Sequence, residues 1–329
     1  MPRVSVVTGF YNRSALLKRT IDSILAQTFE DFELLVFDDA SSDDSAVRLK
    51  QLSDQYGDAR FRFVVADVNR GFVTGLREAI SQTSGDYIAI QGSGDESLPH
   101  RLERQVALLD ERPEVGVVGG WYFNVQEGLG TQRLRTPDAD NLDYEGLMRE
   151  NLFSHGEVMI RREVYERAGG YRPEFRYAQD IDLWLRISRF SKFATVPEPI
   201  YRRYVQFDGV SYVPKKIVEQ SCYSVAARQL TRMTEPEVAH ALAQLAVDGP
   251  SAIVPPENSL VQKKVMKAVL RLAVFGSPAA ALDLAKSSVT NRVYRGLLVS
   301  AVNAYASKPL TSIAPLVRRA LGMADGRTR

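Results

Sequence analysis

The chain has 329 residues, of which 45% are hydrophobic and 25% charged, and its formal net charge is +2. These values are typical of a folded soluble protein with one large and one smaller domain, and the near-neutral charge gives no argument for binding nucleic acid. A single cysteine, Cys222, excludes an intramolecular disulfide framework, and no uncharged apolar run approaches the ~20 residues of a membrane span. We therefore expect a cytoplasmic protein without a signal peptide or a transmembrane segment.

Short apolar runs alternate with amphipathic segments over the first half of the chain, which is typical of a mostly parallel sheet flanked by crossover helices. A strand at 157–160 and a helix at 181–187 are predicted to continue this mixed sheet. The elements predicted before them are, in chain order, a strand at 4–7, a helix capped by Ser14, a strand at 32–37, a helix through Leu49 and Leu52, a strand at 61–65, a helix through Val73 and Ile80, a strand at 87–90, a helix beginning at Pro99 and a strand at 115–118.

From about Pro214 onward the pattern changes to Ala- and Leu-rich helices with little strand signal. We therefore predict a mixed α/β domain at 1–213 and a helical accessory region at 214–329. The apolar helix faces need a partner, so we expect them to dock on the first domain or to form a homodimer. In the tail, Arg318, Arg319 and Arg327 could contact an anionic membrane peripherally, but a basic surface helix with a frayed end is the favoured interpretation.

The first of three acidic clusters, Asp38 and Asp39, directly follows the second predicted strand. Ligands of parallel sheets gather beyond the carboxyl ends of the strands, and adjacent carboxylates there can accept hydrogen bonds from a base and a ribose. The alternative is a solvated turn whose neighbouring acids cap the next helix. Taken alone, the pair favours that second interpretation.

The second cluster, at 91–96, follows the fourth predicted strand and contains Gly92, Gly94, Asp95 and Glu96. Glycines let the backbone approach a ligand closely, and the two acids supply oxygen ligands. A Mg²⁺ or Mn²⁺ ion that bridges a diphosphate needs few protein carboxylates, because phosphates and water fill the remaining positions. A Gly-rich turn that caps the following helix explains the spacing equally well.

The third cluster contains Asp180 and Asp182 at the start of a predicted helix. Residues two apart on a helix point in different directions, so one carboxylate can face a pocket while the other caps the helix or meets solvent. Taken alone, the cluster is an ordinary acidic helix start.

In their order along the chain, these segments resemble glycosyltransferase family 2, the inverting enzymes with the GT-A-type fold. The resemblance covers roughly residues 3–211, and the ordered set is far more specific than any one segment. The matching segments are 4–7, 11–13, 38–43, 69–71, 77, 85–89, 93–95, 98–99, 179–180, 182–186 and 201–202.

The resemblance implies a nucleotide-diphospho-sugar transferase fold, with 1–213 as the catalytic domain, and it implies the roles of several residues. Tyr11 and Asp39, next to Asp38, would hold the base of a nucleotide sugar, and Arg77 would lie near base or phosphate. Gly94 would let the loop approach the nucleotide, Asp95 would bind Mg²⁺ or Mn²⁺, and Asp180 would be the catalytic base. An Asp39 carboxylate can accept the imide N–H of uracil or thymine, which favours UDP- or dTDP-sugars. The acceptor would be a glycan or lipid-linked hydroxyl in bacterial cell-surface polysaccharide synthesis, at the inner face of the membrane.

The chain departs from the family pattern at Gly92 and Gly94, where acids usually precede the last Asp of the metal motif. Asp95 is therefore expected to be the main ligand, with Glu96 in reserve. His155, Tyr201 and Arg202 are candidates for the acceptor or phosphate side. A lone histidine beside glycine is more often structural, and we favour that interpretation for His155.

Three other functions are alternatives to sugar transfer. A catalytically silent nucleotide-sugar-binding or scaffold protein on the same fold is the main alternative, and the presence of Asp39, Asp95 and Asp180 together argues against it. A dehydrogenase lacks support because the loop after the first strand has no Gly-x-Gly-x-x-Gly turn. A nucleotidyltransferase would need a basic Gly-rich loop there, and only Arg13 is present.

Overall fold

The computed structural model describes residues 1–127, 130–140, 142–205, 212–275 and 277–307. The chain divides into two compact units, Met1–Val205 and Gln206–Arg329. The first is a mixed α/β unit, and the described part of the second is helical.

A nine-stranded sheet forms the centre of the first unit, in the order β3-β2-β1-β4-β8-β6-β9-β5, with β7 paired to β6. Neighbouring strands β1 to β4 are parallel, as are β6 and β9, whereas β8 is antiparallel to both β4 and β6. The GT-A-type mixed sheet predicted from the sequence is therefore confirmed. The strands are β1 (Val4–Phe10), β2 (Phe32–Asp38), β3 (Phe61–Val65), β4 (Tyr87–Ile90), β5 (Glu96–Ser97), β6 (Val115–Gln126), β7 (Thr131–Arg135), β8 (Met159–Arg161) and β9 (Lys192–Tyr204).

Helices cover the sheet and bury one apolar stripe each. In the first helix, Leu17, Ile21 and Ile24 are buried at the three- to four-residue spacing of one helix face. The helices of this unit are α1 (Ser14–Leu25), α2 (Ser45–Tyr56), α3 (Phe72–Ser81), α4 (Arg101–Glu111), α5 (Tyr144–Arg149), α6 (Arg162–Arg167) and α7 (Gln179–Ile187), with a 3₁₀ turn at His155–Glu157.

Two predicted helix starts were wrong. Ser14 is the first residue of α1 and not its cap; its backbone N–H donates to the Asp43 carboxylate, 3.1 Å away on the next loop. Pro99 precedes α4, which begins at Arg101. The Pro99 carbonyl accepts the backbone N–H of Thr28 at 2.8 Å, so it is directed toward the loop after α1.

The described part of the second unit consists of helices with a core of their own. Val261, Val265 and Leu272 of one helix and Leu284 of the next are buried in it. The predicted tail contacts of Arg318, Arg319 and Arg327 lie outside the described residues. Within the described ranges, no helix has the length and apolar character needed to cross a membrane. The helices are α8 (Pro214–Leu230), α9 (Glu235–Asp248), α10 (Ser259–Phe275), α11 (Pro278–Ser288) and α12 (Arg292–Ser307), with a 3₁₀ turn at Pro250–Ala252.

Candidate functional site

The loops that follow β1, β2 and β3 are joined by hydrogen bonds. The Asn12 side-chain oxygen accepts the backbone N–H of Ser42 at 2.7 Å. The Asp39 carboxylate accepts the backbone N–H groups of Arg70 and Gly71, both at 2.9 Å. Because β1, β2 and β3 are parallel neighbours, these loops form one connected rim at the carboxyl edge of the sheet.

Asp38 and Asp39 have different environments within this rim. Asp38 is fully buried, and its carboxylate accepts both the backbone N–H and the hydroxyl of Ser41, so it stabilises the turn around Ala40, whose φ is +58°. Asp39 is bonded to backbone N–H groups, which leaves each of its oxygens a second lone pair. Tyr11 is 49% exposed at the same rim. Asp39 and Tyr11 are therefore the rim side chains best placed for a ligand.

A cavity of about 210 Å³ adjoins Asp39 between the strand ends and α3. Phe37, Ala66 and Arg70 line it, and Arg70 forms an ion pair with Glu78 at 2.7 Å. Arg77 is exposed and does not line this cavity. Burial raises the pKa of Tyr165 and the charge of Arg77 opposes that rise, so Arg77 lies toward Tyr165. The structure thus brings Asp39 together with Arg70 and Glu78 and not with Arg77.

The loop after β4 holds the Asp95 carboxylate against β9. Its Oδ2 accepts the Tyr201 hydroxyl at 2.9 Å, and its Oδ1 accepts the backbone N–H of Tyr204 at 2.8 Å. The Tyr201 hydroxyl also accepts the backbone N–H of Gly92 at 2.9 Å. Gly94 donates its backbone N–H to Thr20 Oγ1 at 2.9 Å, which connects the loop to α1. Asp95 therefore has a fixed orientation before any ligand binds.

Both glycines of this loop are required by its geometry. A Cβ at Gly92 would stand 2.3 Å from Asp95 Oδ2, and Gly94 has a φ of +86°, where side chains are strained. Acids at these two positions, which the family pattern usually has, cannot be built into this loop without moving it. The reduction to one acid is therefore a consequence of how the loop packs.

Asp95 suits a divalent ion that is held mainly by its substrate. Burial raises the pKa of Asp95 to about 6, while the Tyr204 N–H and the charges of Arg203 and Arg13 oppose that rise. Each carboxylate oxygen keeps a free lone pair. The described residues contain no cluster of three or more His, Cys, Asp or Glu that could hold an ion alone. One buried carboxylate is the donor set expected where phosphates and water complete the coordination of Mg²⁺ or Mn²⁺.

Strand β9 presents alternate residues to different partners. Arg202 pairs with Glu96 at 3.2 Å, so both Arg202 and the predicted reserve ligand are engaged with each other. Residues two apart on a strand share a face, which places Arg203 on the side of the buried Tyr201. Consistent with this, the positive charge of Arg203 is one of the effects that oppose the rise in the pKa of Asp95 caused by burial. The Arg203 side chain is half-buried and makes no hydrogen bond or ion pair with the residues that the structure describes, while its backbone pairs with β6 opposite Asn124.

Asp180 and Asp182, at the start of α7, have separate surroundings. Asp182 is 2% exposed and forms ion pairs with Arg172 at 3.0 Å and Arg186 at 2.7 Å. Asp180 is half-buried and its Oδ2 accepts the side-chain amide of Asn151 at 2.6 Å. The prediction that the two carboxylates point in different directions is confirmed, and Asp182 is engaged in a structural ion-pair network.

His155 lies between the two acidic regions. Its Nε2 shares a hydrogen bond of 2.7 Å with the Tyr171 hydroxyl, and its ring packs edge-on against Phe72. Burial lowers the pKa of His155, and the negative charge of Asp180 opposes this. The next residue, Gly156, packs against Tyr201 and Gly92, because a Cβ there would stand 2.5 Å from the Tyr201 hydroxyl. The 3₁₀ turn at His155–Glu157 therefore connects the Asp95 loop to the surroundings of Asp180.

Sequence reasoning missed Asn151 and Arg203. The alternation of a strand through Tyr201 could have placed Arg203 on the Asp95 side, had β9 been predicted. Asn151 had no such signal, because it lies 29 positions from its partner and belongs to no periodic pattern.

Comparison with known proteins identifies relatives of this chain. The model of the family described as glycosyl transferase family 2 matches residues 5–169. EpsE of Bacillus subtilis (strain 168), whose name describes a glycosyltransferase, is 37% identical over 188 residues, which are 56% of this chain and 66% of EpsE. TuaG of the same organism, whose name describes a teichuronic acid biosynthesis glycosyltransferase, is 27% identical over 187 residues, with 56% and 72% of the two chains covered. The match to EpsE thus spans just under two thirds of that protein.

A solved structure with the same fold is the mannosyltransferase PcManGT from Pyrobaculum calidifontis, determined in complex with GDP-Man and Mn²⁺. It superposes with a TM-score of 0.57 at 22% identity, and the match covers 94% of this chain and 87% of that one. At this identity the likeness establishes the fold alone.

Proposed function

This chain belongs to glycosyl transferase family 2, and we propose that it transfers a sugar, with inversion, from a nucleoside diphosphate sugar to an acceptor hydroxyl. The region 1–213 is proposed to carry the catalysis and 214–329 to be accessory. The observation that carries the proposal is the pairing of two preorganised acids. Asp95 is fixed by Tyr201 and Tyr204, and Asp180 by Asn151, and the 3₁₀ turn at His155–Glu157 connects the surroundings of the two acids.

The proposed donor site is the rim of strand-end loops. The free lone pairs of Asp39 suit the imide N–H of uracil or thymine, and the exposed Tyr11 ring suits stacking on a base. UDP- and dTDP-sugars are therefore the favoured donors. Guanine also offers an N–H donor, and the GDP-Man complex of PcManGT makes GDP-sugars the next candidate.

Asp95 is the proposed protein ligand of a divalent ion, Mg²⁺ or Mn²⁺. When bound, such an ion neutralises the charge that builds on the departing diphosphate. Because burial raises the pKa of Asp95 to about 6, protons compete with the ion below that pH. Asp180 is the proposed general base, which takes the acceptor proton as the new bond forms. A single base suffices for direct displacement.

The proposed acceptor is a glycan or lipid-linked hydroxyl in the synthesis of a bacterial cell-surface polysaccharide. The name of TuaG, which describes teichuronic acid biosynthesis, supports this class of product. We place the reaction on the cytoplasmic side, with the protein soluble or in peripheral contact with the membrane.

The test is a thermal-shift panel of UDP, dTDP, GDP and ADP with and without Mn²⁺, followed by assays of donor hydrolysis. We expect UDP or dTDP to stabilise the protein more than ADP does, and Mn²⁺ to increase that stabilisation. Equal stabilisation by UDP and ADP would contradict the assignment of Asp39. Nucleotide binding without hydrolysis or transfer of any donor would favour a catalytically silent binding protein.

A further inference from the structure

Asn151 directs its side-chain amide at the carboxylate that we assign as the base. Its Nδ2 donates to Asp180 Oδ2 at 2.6 Å, which is short for a hydrogen bond from a neutral amide. The amide orientation is chemically determined, because an ionised carboxylate only accepts hydrogen bonds and the NH₂ end must face it. The other end, Asn151 Oδ1, accepts the backbone N–H of Phe153 at 3.3 Å. Asn151 is therefore held at one end by its own loop and bonded to Asp180 at the other.

The second carboxylate oxygen of Asp180 is left for another partner. Within the part of the chain that the structure describes, Asp180 Oδ1 accepts no hydrogen bond, and the side chain is half-buried rather than exposed. The backbone beneath it is also fixed, because Asp182 pairs with Arg172 outside α7, and Arg186 of the same helix donates to the carbonyl of Gly170. One oxygen is thus occupied by a neutral donor and the other is open.

From this geometry we propose that Asn151 is a positioning residue for sugar transfer, which fixes the Asp180 carboxylate so that Oδ1 faces the acceptor hydroxyl. The inference rests on the proposed function, in which Asp180 takes the acceptor proton. A neutral amide suits this task better than a cation, because an arginine or lysine in its place would form an ion pair and make the carboxylate a weaker base. The negative charge of Asp180 acts on two neighbouring titratable groups, His155 and Tyr171.

The two hydrogen bonds of Asn151 separate a positioning role from a structural one. A positioning residue acts on proton removal, so its loss should lower kcat and leave the donor KM nearly unchanged. Asn151→Asp keeps an acceptor for the Phe153 N–H and removes the donor to Asp180. A purely structural role would therefore survive in Asn151→Asp, whereas a positioning role would not.

The experiment compares Asn151→Ala and Asn151→Asp with the wild type in transfer from the donor that the thermal-shift panel identifies. We expect Asn151→Ala to lower kcat about 10- to 100-fold, the range for loss of a hydrogen bond to a charged group, with the donor KM within about twofold. Asn151→Asp should lower kcat at least as much, because it has no donor for Asp180 and brings a second negative charge to face it. Gln132→Ala, which removes an exposed amide on β7, is the matched control and should match the wild type in both respects.

The outcomes separate this inference from the proposed function. An active wild type together with an unchanged kcat in Asn151→Ala, or with a wild-type kcat in Asn151→Asp, would overturn the positioning role alone. A wild type that neither hydrolyses nor transfers any nucleotide sugar would overturn the proposed function and this inference with it.

Discussion

Two buried carboxyl groups at the candidate site form no ion pair with the part of the chain that the structure describes. Burial raises the pKa of Asp95 to about 6 and that of Glu157 to about 8. Glu157 Oε1 accepts the backbone N–H of Ser154 at 2.9 Å, whereas Oε2 is buried with no hydrogen-bond partner among the described residues. At neutral pH, Glu157 is therefore largely protonated in the folded chain, while it is ionised in the unfolded chain.

Replacing Glu157 by Gln should remove a pH dependence of stability. The pKa of Glu157 is raised in the folded state, so the folded chain binds an extra proton between pH 4.5 and about 8, and stability falls as pH rises through that range. The free energy of unfolding of the wild type should fall by about 3 kcal/mol more than that of Glu157→Gln between pH 5 and 8. Urea denaturation at several pH values measures this. Glu163→Gln, on the surface, is the control, and equal slopes in Glu157→Gln and wild type would show that Glu157 titrates normally.

The sequence could identify single polar residues that come after a predicted strand. It could not assign the hydrogen-bond or ion-pair partners of those residues. Asp39 and Asp95 were found because each lies in an acidic cluster that follows a predicted strand. That Asp38 would bond to Ser41, or Arg202 to Glu96, depends on backbone turns and strand pairing that no short spacing encodes. The roles of these residues in binding stay predictions.

At the scale of elements, the Asp95 loop rests on a buried polar network from α4. The fully buried Arg101 donates to Gln91 Oε1 and Ser97 Oγ, both at 2.9 Å, and to the carbonyl of Ile90 at 2.8 Å. A buried guanidinium with all its donors satisfied holds both ends of the loop at once. The loop is consequently a rigid element, and residues within it cannot be exchanged freely.

Restoring an acid at position 92 should therefore weaken metal-dependent binding. The Cβ of Gly92→Asp would stand 2.3 Å from Asp95 Oδ2, so Asp95 must move, and a second carboxylate would also repel it. We expect the Mn²⁺-dependent part of UDP affinity to fall at least about tenfold, by titration calorimetry with and without Mn²⁺. The matched control is Gly296→Asp on α12, where an added Cβ meets no atom within 4 Å. A gain in Mn²⁺-dependent affinity would refute the packing argument.

The sheet shows which elements could be predicted. Strands β1 to β4 consist mostly of apolar residues and were found, whereas the 13-residue β9 was missed. Pro197 and Pro199 interrupt its sequence, and proline normally marks an edge strand or an irregularity. The structure accommodates them where the register between β6 and β9 shifts, from Val196 opposite Gly120 to Pro199 opposite Trp121. A single sequence does not show that the partner strand bulges at the same place.

At the scale of the whole molecule, each of the two compact units buries apolar residues. One apolar cluster extends from Val4 to Tyr201, and its residues all belong to the first unit. Buried residues of α8, α10 and α11 belong to the second. We expect the two units to divide the tasks, with nucleotide binding in the first and acceptor use or self-association dependent on the second.

A fragment of residues 1–213 should fold and bind UDP as the full chain does, because the apolar cluster from Val4 to Tyr201 lies within it. We expect donor hydrolysis to be retained while acceptor-dependent transfer falls at least about tenfold, a loss of roughly 1.4 kcal/mol in transition-state binding. Thermal shifts with UDP and parallel assays of hydrolysis and transfer measure the two activities. A soluble, monomeric fragment with full transfer activity would count against any role of the helices in catalysis.

The central claim is that Asp180 is the base of a single-displacement transfer, and the most direct test is to compare Asp180→Asn with Asp182→Asn. Asp180→Asn should bind UDP normally and lose transfer by about 10²- to 10⁴-fold, since only proton removal is affected. Asp182→Asn should lower thermal stability, because Arg172 and Arg186 lose their buried partner, while its folded fraction keeps appreciable turnover. Full transfer by Asp180→Asn together with loss of turnover in folded Asp182→Asn would contradict the assignment.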